Sequence, residues 1–564
     1  MSYVDAFHDQ KTEKIMVAER IDGKRIYVDY PAEYTFYYED RAGKHKSIFG
    51  DSLEKVTCSS SRNFLKELQR CNNKKIFEKD IKPISRCLEQ KYSGAAAPKL
   101  NVCYIDIETD FCKTRGYAPT SDPFNRITAI TVYLSWLEQL VTVAMPPDGM
   151  NIGEAEKLCE GIDNVFLFTD ERAMLDTMLS LIDDADILSG WNSETYDLPY
   201  IVNRITKVMA KSDTRRLCLW GQFPKKRNFE RFGTEQETYD LVGRVHLDYM
   251  QLYIKYNYEE RHSYALDAIG EYELNERKTA YQGTLDQLYN DDFRKFIIYN
   301  RQDVALIDKL DKKLKFLDLA NQIAHDSTVL LPATMGAVAV TDQAIINEAH
   351  SKGLCVPSRN RVYKNFDDPT EEAEEELKAA GAYVAYPKKG LHNWIGSVDI
   401  NSLYPSVFRA LNMSPETIVG QIRLDLTEKY LHEKMHPPGV KRKISSTEAW
   451  EGLFSTLEYS LVMERDREIK LTVEWQSGET IEVTGAEIYK FVFAPGSDLV
   501  LSANGTLFTL SKTGIIPGLL EKWLKQRKQL QFQLKCTKEL QVGVTLSDDF
   551  LANLNSQLAS MEDQ

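Results

Sequence analysis

Val102-Cys103-Tyr104-Ile105-Asp106-Ile107-Glu108 is an apolar run interrupted by two carboxylates two positions apart. Its β-branched and aromatic content predicts an interior strand. Side chains in a strand alternate between faces, so Asp106 and Glu108 project from the same one. A wetted sheet face would explain such a pair with no chemistry at all. The apolar flanks weigh against that reading, because a buried carboxylate needs compensating charge or hydrogen bonds.

Downstream, Ile127–Leu134 reads as a second strand, Glu171–Leu179 as a helix, and Ile187–Asn192 as a short strand turning into a loop. This mixture predicts an α/β domain extending to about residue 330. Upstream, the small residues Ser93–Pro98 mark a domain edge. Before that edge the chain alternates like strands, with a hairpin at Ile21-Asp22-Gly23-Lys24, and turns helical around Phe64–Leu68. Far downstream, the acidic run Asp367–Glu376 and the segment Leu377–Gly381 give way to a new alternating stretch from Ala382. Ser502–Phe508 reads as a hairpin tip and Gly518 to about Lys538 as a long basic helix.

At 564 residues the chain is too long for one ordinary core, and 43% hydrophobic with 27% charged residues describes a folded globular protein. Nine scattered cysteines without a Cys-x-x-Cys pair argue against a zinc knuckle or disulfide framework and for a reducing compartment. No apolar stretch approaches membrane-spanning length, and Met1–Asp5 does not begin a signal peptide. A cytoplasmic protein without a membrane partner is the expectation. The net charge of −14 leaves nucleic-acid binding open, since a footprint depends on local basic patches.

More acids recur in distinctive settings. Gly190-Trp191-Asn192-Ser193-Glu194-Thr195-Tyr196-Asp197 runs from a strand end into a helix start. Tyr299-Asn300-Arg301-Gln302-Asp303 sets a phenol and a carboxylate four apart on one helical face, although Tyr299 also reads as a half-buried packing residue. Phosphodiester hydrolysis needs a water nucleophile, charge neutralisation on the phosphate and a stabilised leaving oxygen. Two hard divalent cations roughly 4 Å apart meet all three needs and prefer oxygen ligands. Asp106, Glu108, Asp197 and Asp303 could hold such ions, with Tyr299 orienting the water.

In the second half, Val398-Asp399-Ile400-Asn401-Ser402-Leu403-Tyr404-Pro405-Ser406 reads as a buried strand ending in Asp399. Asn401 and Ser402 are available as caps, and Pro405 suits a first helical turn. A structural strand-to-helix junction is the alternative. The basic stretch Glu521–Lys528 is either a nucleotide-binding helix or a solvated one.

The Asp-Ile-Glu run at 106–108, the Asn192–Asp197 segment and the Tyr299–Asp303 spacing resemble, in order, the three exonuclease motifs of family B replicative DNA polymerases of the T-even bacteriophage type. Leu247–Tyr253 and Ser263–Ile269 are secondary matches; Asp248 is either a further functional carboxylate or a helix cap. The resemblance implies metal ligation by Asp106, Glu108, Asp197 and Asp303, water positioning by Tyr299, and two Mg2+ or Mn2+ ions in a ribonuclease H-like 3′-5′ exonuclease domain. It also marks Lys225–Arg244 as a strand-separating hairpin, against the plainer reading of a soluble basic loop.

The Asp399 segment, with Asn412 and Ser414-Pro415-Glu416-Thr417 behind it, resembles the first palm motif of the family. That likeness implies metal binding by Asp399 and the Ile400 carbonyl, triphosphate contacts from Leu403 and Tyr404, and a phosphate clamp at Arg527. Gln531 stands where the phage relatives carry a second cation. The later Lys-x-x-x-Asn-Ser-x-Tyr-Gly and Tyr-Gly-Asp-Thr-Asp-Ser motifs do not occur.

The expectation is therefore an α/β multidomain N-terminal portion of a polymerase, either naturally split or a truncated chain. Its parts are an N-terminal mixed domain (1–97), an exonuclease domain (98–330), a return segment of the N-terminal domain (331–380), the N-terminal part of the palm (381–512) and partial fingers (513–564). Expected partners are primer-template and single-stranded DNA, a C-terminal polymerase polypeptide, and dNTP with Mg2+ once that polypeptide completes the site. A sliding clamp would be reached through the same polypeptide. An autonomous exonuclease or an inactive replication scaffold is the alternative, and a viral origin would place the protein in a bacterial host cytoplasm.

Overall fold

Val102–Thr109 is an inner strand of a six-stranded sheet in the computed structural model, which describes residues 2–231, 233–359, 386–400, 402–422, 470–502 and 505–541. Across this sheet the order is Val165–Leu167, Gln139–Ala144, Ile127–Leu134, Val102–Thr109, Ile187–Ser189, Val245–His246. Val102–Thr109 and Ile127–Leu134 pair antiparallel, as do Ile127–Leu134 and Gln139–Ala144. The remaining neighbours pair parallel.

Alternation along the inner strand sorts its side chains between two cores. Cys103, Ile105 and Ile107 pack with Met174, Met178, Leu198 and Ile205 from the helices Glu171–Leu181 and Asp197–Val208. Val102 and Tyr104 face the other way, toward Tyr249, Val304 and Ile307. Asp106 and Glu108 continue that second face, where the helix Phe293–Leu314 lies. This helix starts at Asp292, whose carboxylate accepts from Lys295 N at 3.0 Å, a cap worth about 1 kcal/mol. Phe293, Phe296, Ile297, Asn300, Asp303, Val304 and Ile307 then recur on its buried face, so one amphipathic stripe carries both core residues and polar ones.

Upstream, the hairpin at Asp22-Gly23 joins Lys14–Ile21 to Lys24–Pro31, both turn residues having positive φ (49° and 76°) as a tight two-residue hairpin requires. The hairpin anchors the site strand. Arg20 donates to Asp186 Oδ1 at 2.7 Å and Arg25 at 3.1 Å, while Asp186 Oδ2 accepts from Asn101 N at 2.9 Å. Asp186 is fully buried, so removing both arginines would leave its charge uncompensated at a cost of about 3–5 kcal/mol. A five-stranded sheet holds Leu354–Cys355 parallel to His45–Ser47, bringing residues after 330 back to the N-terminal part.

The chain divides into two units, 1–359 and 360–564. Within the second, five antiparallel strands lie in the order Thr480–Thr484, Lys470–Trp475, Ile418–Ile422, Thr506–Thr509, Leu499–Leu501. The helices Leu403–Ala410 and Ile515–Gln541 belong to the same unit, and Arg409 faces Glu521 at 3.7 Å. One expectation is corrected here: Val398–Ile400 is not a buried strand. Val398 is 94% exposed, and no described strand pairs with this stretch, so its apolar residues have nothing to pack against. The acidic run Asp367–Glu376, the segment Leu377–Ala385, Asn401 and the residues after 541 lie outside the described residues.

Candidate active site

The strand alternation that sets Asp106 and Glu108 on one face and the helical stripe that carries Asp303 converge on a single point. Asp106, Glu108 and Asp303 each offer a carboxylate oxygen within 4.8 Å of the others. Asp106 keeps part of its surface open, whereas Glu108 and Asp303 are buried. Asp197 is not one of that group and lies buried at the neighbouring strand-to-helix turn. Its Oδ1 accepts from Ile107 N at 3.1 Å, and it begins the helix Asp197–Val208, where a carboxylate suits the positive end of the helix dipole.

That turn is built for close approach. A Cβ on Gly190 would come within 2.6 Å of the Ile105 carbonyl and 2.8 Å of Ser193 Cβ, so only glycine fits. Asn192 takes a left-handed φ of 60° and donates its N–H to Asp248 Oδ1 at 3.0 Å, while Glu194 N donates to Asp248 Oδ2 at 3.1 Å. Asp248 also accepts from Met250 N at 2.9 Å as the cap of Tyr249–Tyr256. Of the two readings of Asp248, the structure supports the cap.

The electrostatics are those of crowded buried acids. Burial first, and then repulsion from Asp197, Glu108 and Asp303, pushes the Asp106 carboxyl well above the ordinary carboxylate range. Glu108 rises to about 8 through burial and then Asp303; Asp197 rises to about 7 through burial, partly offset by backbone N–H donors. Asp303 rises through burial, with Lys278 and Tyr299 pulling the other way.

Sequence reasoning missed two contributors. Lys278 donates to Asp303 Oδ2 at 2.5 Å and to the Tyr299 hydroxyl at 3.3 Å. It comes from a polar stretch with no periodicity or spacing to flag it. Asn300 lies inside the Tyr299–Asp303 motif, yet its role appears only in space: Nδ2 donates to Asp106 Oδ2 at 2.7 Å, and Oδ1 accepts from Thr131, which also bonds Thr142 at 2.9 Å. Tyr299 is half-buried beside Lys278 and stacks edge-on against Tyr281.

The donor set fits divalent cations. Carboxylates are the oxygen ligands that hard cations prefer, and Asp303 Oδ1 is buried without a hydrogen-bond partner. Four neighbouring acids face a single ammonium, a charge deficit that a cation would relieve.

In the second unit, Asp399 and Arg527 line one cavity of about 640 Å³ together with Ser402, Lys525, Lys528 and Gln531. Ile400, Leu403 and Tyr404 are not among its lining residues, and all three side chains are exposed. The trailing motif holds the start of the long helix instead. Asn412 donates to the Thr509 and Lys512 carbonyls and accepts from Gly514 N at 2.9 Å, while Glu416 accepts from Ile515 N at 2.5 Å. The expected basic hairpin forms from Lys225–Arg231 and Thr234–Asp240, but Arg227 is paired with Asp240 and Glu194.

Comparison with known proteins gives two partial matches to family models and a set of relatives. The model of the DNA polymerase family B exonuclease domain matches residues 55–269, and the DNA polymerase family B model matches residues 333–549. Lys278, Tyr299 and Asp303 fall between the two matches, so their convergence rests on geometry. The chain is 29% identical to a DNA-directed DNA polymerase of Enterobacteria phage T4 over 48% of its own length and 30% of the relative's. It is 30% identical to that of Escherichia phage RB69 over 45% of its length and 26% of the relative's. With a DNA polymerase delta catalytic subunit of Plasmodium falciparum it shares 27% identity over 64% of its length and 33% of the relative's. The matched stretches thus span a third or less of these curated relatives.

These matches correct the expectation of a naturally split, N-terminal-only polymerase. Exonuclease and polymerase models both fall in this one chain. The second half is therefore a region matching the family B polymerase model and not merely a partial palm and fingers. A separate C-terminal polypeptide, and a sliding clamp reached through it, are not inferred. Among the described residues no helix is long and apolar enough to cross a membrane.

Proposed function

We propose, from the exonuclease-domain and polymerase models of DNA polymerase family B that each match part of the chain, that it is a DNA-directed DNA polymerase with a two-metal 3′→5′ exonuclease at the Asp106 cluster. The observation that carries the exonuclease is the convergence of Asp106, Glu108 and Asp303 around the partnerless Asp303 Oδ1.

Asp106, Glu108, Asp197 and Asp303 would hold the cations, Mg2+ or Mn2+. When bound, such ions neutralise the phosphate oxygens, acidify the attacking water and stabilise the leaving 3′ oxygen. The protein's share is placement. Asn300, held by Thr131, fixes the Asp106 carboxylate, and Ile107 N with the helix start fixes Asp197. The Tyr299 hydroxyl orients the water as a hydrogen-bond partner. Burial pushes the Tyr299 hydroxyl above the ordinary tyrosine range. No carboxylate has to serve as general base. The chain should shorten a 5′-labelled single strand from its 3′ end with Mg2+ and stop in EDTA. Full activity in Asp106→Ala and Asp303→Ala would overturn the assignment.

The cavity holding Asp399 and Arg527 favours a second site, for the nucleotide. Arg527 suits a triphosphate because a guanidinium can donate two parallel hydrogen bonds. Asp399 would hold its Mg2+, whereas the contacts that the resemblance implies for Ile400, Leu403 and Tyr404 fall outside the lining of this cavity. Gln531 supplies a hydrogen bond but no charge, so Arg527 bears more of the binding. Titration with a fluorescent dNTP tests this; equal affinity in Arg527→Ala would contradict it. The phage relatives support a bacterial-host cytoplasm as the place of action.

A further inference from the structure

Lys278 leaves a helix that ends at Asn275, whose left-handed φ of 56° turns the chain back. Its own N–H donates to Asp267 Oδ1 at 2.8 Å, which anchors the stem, and its ammonium reaches Asp303 Oδ2 at 2.5 Å. About a quarter of the side chain stays accessible (28%), against 3% for Asp303. Asp303 in turn offers its carboxylate within 4.8 Å of those of Asp106 and Glu108, so the Lys278 ammonium stands at the edge of the acid cluster. The ion pair engages only Oδ2 of Asp303 and leaves Oδ1 without a partner. One ammonium therefore shields the cluster while one ligand atom remains free.

We propose that Lys278 is a built-in counter-ion: it lets the four carboxylates share a buried site before divalent cations arrive, and it lowers the affinity with which they are then taken up. The inference rests on reading the cluster as a metal site. Like charges packed together oppose folding unless a cation sits among them, and a fixed cation opposes the entry of another. Lys278 does both because it is covalently tethered and cannot be diluted away. The site then gives up some metal affinity in exchange for a fold that does not depend on metal.

The test compares the full chain with Lys278→Met and Lys278→Arg, using Mn2+ as the probe, by calorimetric titration and by thermal unfolding in EDTA and in Mn2+. Lys278→Met should bind Mn2+ about tenfold more tightly, unfold about 4 °C or more lower in EDTA, and gain more from Mn2+ than the wild type. Lys278→Arg, which keeps the charge, should follow the wild type. A Lys278→Met variant that folds only with Mn2+ present is the extreme form of the expected result. One that fails to fold even with Mn2+ would overturn the proposal, as would affinities and unfolding temperatures equal to wild type. Absence of Mn2+ uptake by the wild type itself would overturn the metal-site reading and this inference with it, whereas equal uptake by wild type and variant would remove the counter-ion role alone.

Discussion

Around Asp106 two strands, two helices and a capped loop converge on four acids, and every acid is pushed up by burial. Around Asp399 a single carboxylate lies in an exposed stretch of chain, at the edge of a cavity whose other charges come from Arg409 on one helix and from the long helix Ile515–Gln541. The first region has its charge deficit built into the core, so the deficit is a property of the fold. The second has accessible charges in a cleft, so its electrostatics depend on what enters. The difference teaches that strong burial of like charges is a better mark of a metal site than a motif alone.

Four perturbations probe that difference, beginning with the largest. Asp106→Ala removes an acid that Asn300 and three carboxylates surround, and should lower single-strand degradation by about 10³-fold or more, measured as mononucleotide release. A fall of only a few-fold would place the chemistry elsewhere. Tyr299→Phe deletes one hydroxyl and leaves the ring against Tyr281, so kcat should fall by about 10- to 100-fold with KM little changed. At the cleft, Arg527→Ala should weaken dNTP binding by about tenfold, a smaller loss because the site is open to solvent and lysines at 525 and 528 remain. The same substitution should leave degradation alone, and a parallel loss of both activities would erase the contrast.

The smallest effect is a pH dependence. Glu108 and Asp197 have folded-state pKa values raised to about 8 and about 7, so the folded metal-free chain binds more protons than the unfolded one between the ordinary carboxylate range and those values. Stability should therefore fall as pH rises through that window, by a few degrees in unfolding temperature in EDTA. Mn2+ should flatten the slope, because ligands that are deprotonated by metal no longer exchange protons. A metal-free chain equally stable at pH 5 and pH 8 would mean that the acids are less crowded than their distances imply.

How much of this was legible in the sequence differs between the two regions for a physical reason. The inner strand at 102–109, its neighbour at 127–134 and the Asp22-Gly23 hairpin follow from local rules of alternation and turn geometry, and the structure has all three. The four-residue spacing of Tyr299 and Asp303 likewise survives, because a helix imposes it. Lys278 and the Asn300–Asp106 bond depend on how distant segments meet, and no local pattern encodes them. Val398 and Ile400 misled for the opposite reason. Their apolarity reads as burial, yet burial needs a partner surface, and no described strand pairs there. The expectation of a split polymerase is corrected by the polymerase-family match at residues 333–549, which no single local motif carries.

The central claim, that the acids around Asp106 form a cation site, is tested most directly by anomalous X-ray scattering from crystals soaked in Mn2+. The account predicts anomalous peaks bounded by the carboxylates of Asp106, Glu108 and Asp303, absent from the Asp106→Ala variant. A cluster holding only the Lys278 ammonium at saturating Mn2+, with peaks elsewhere or none, would contradict it.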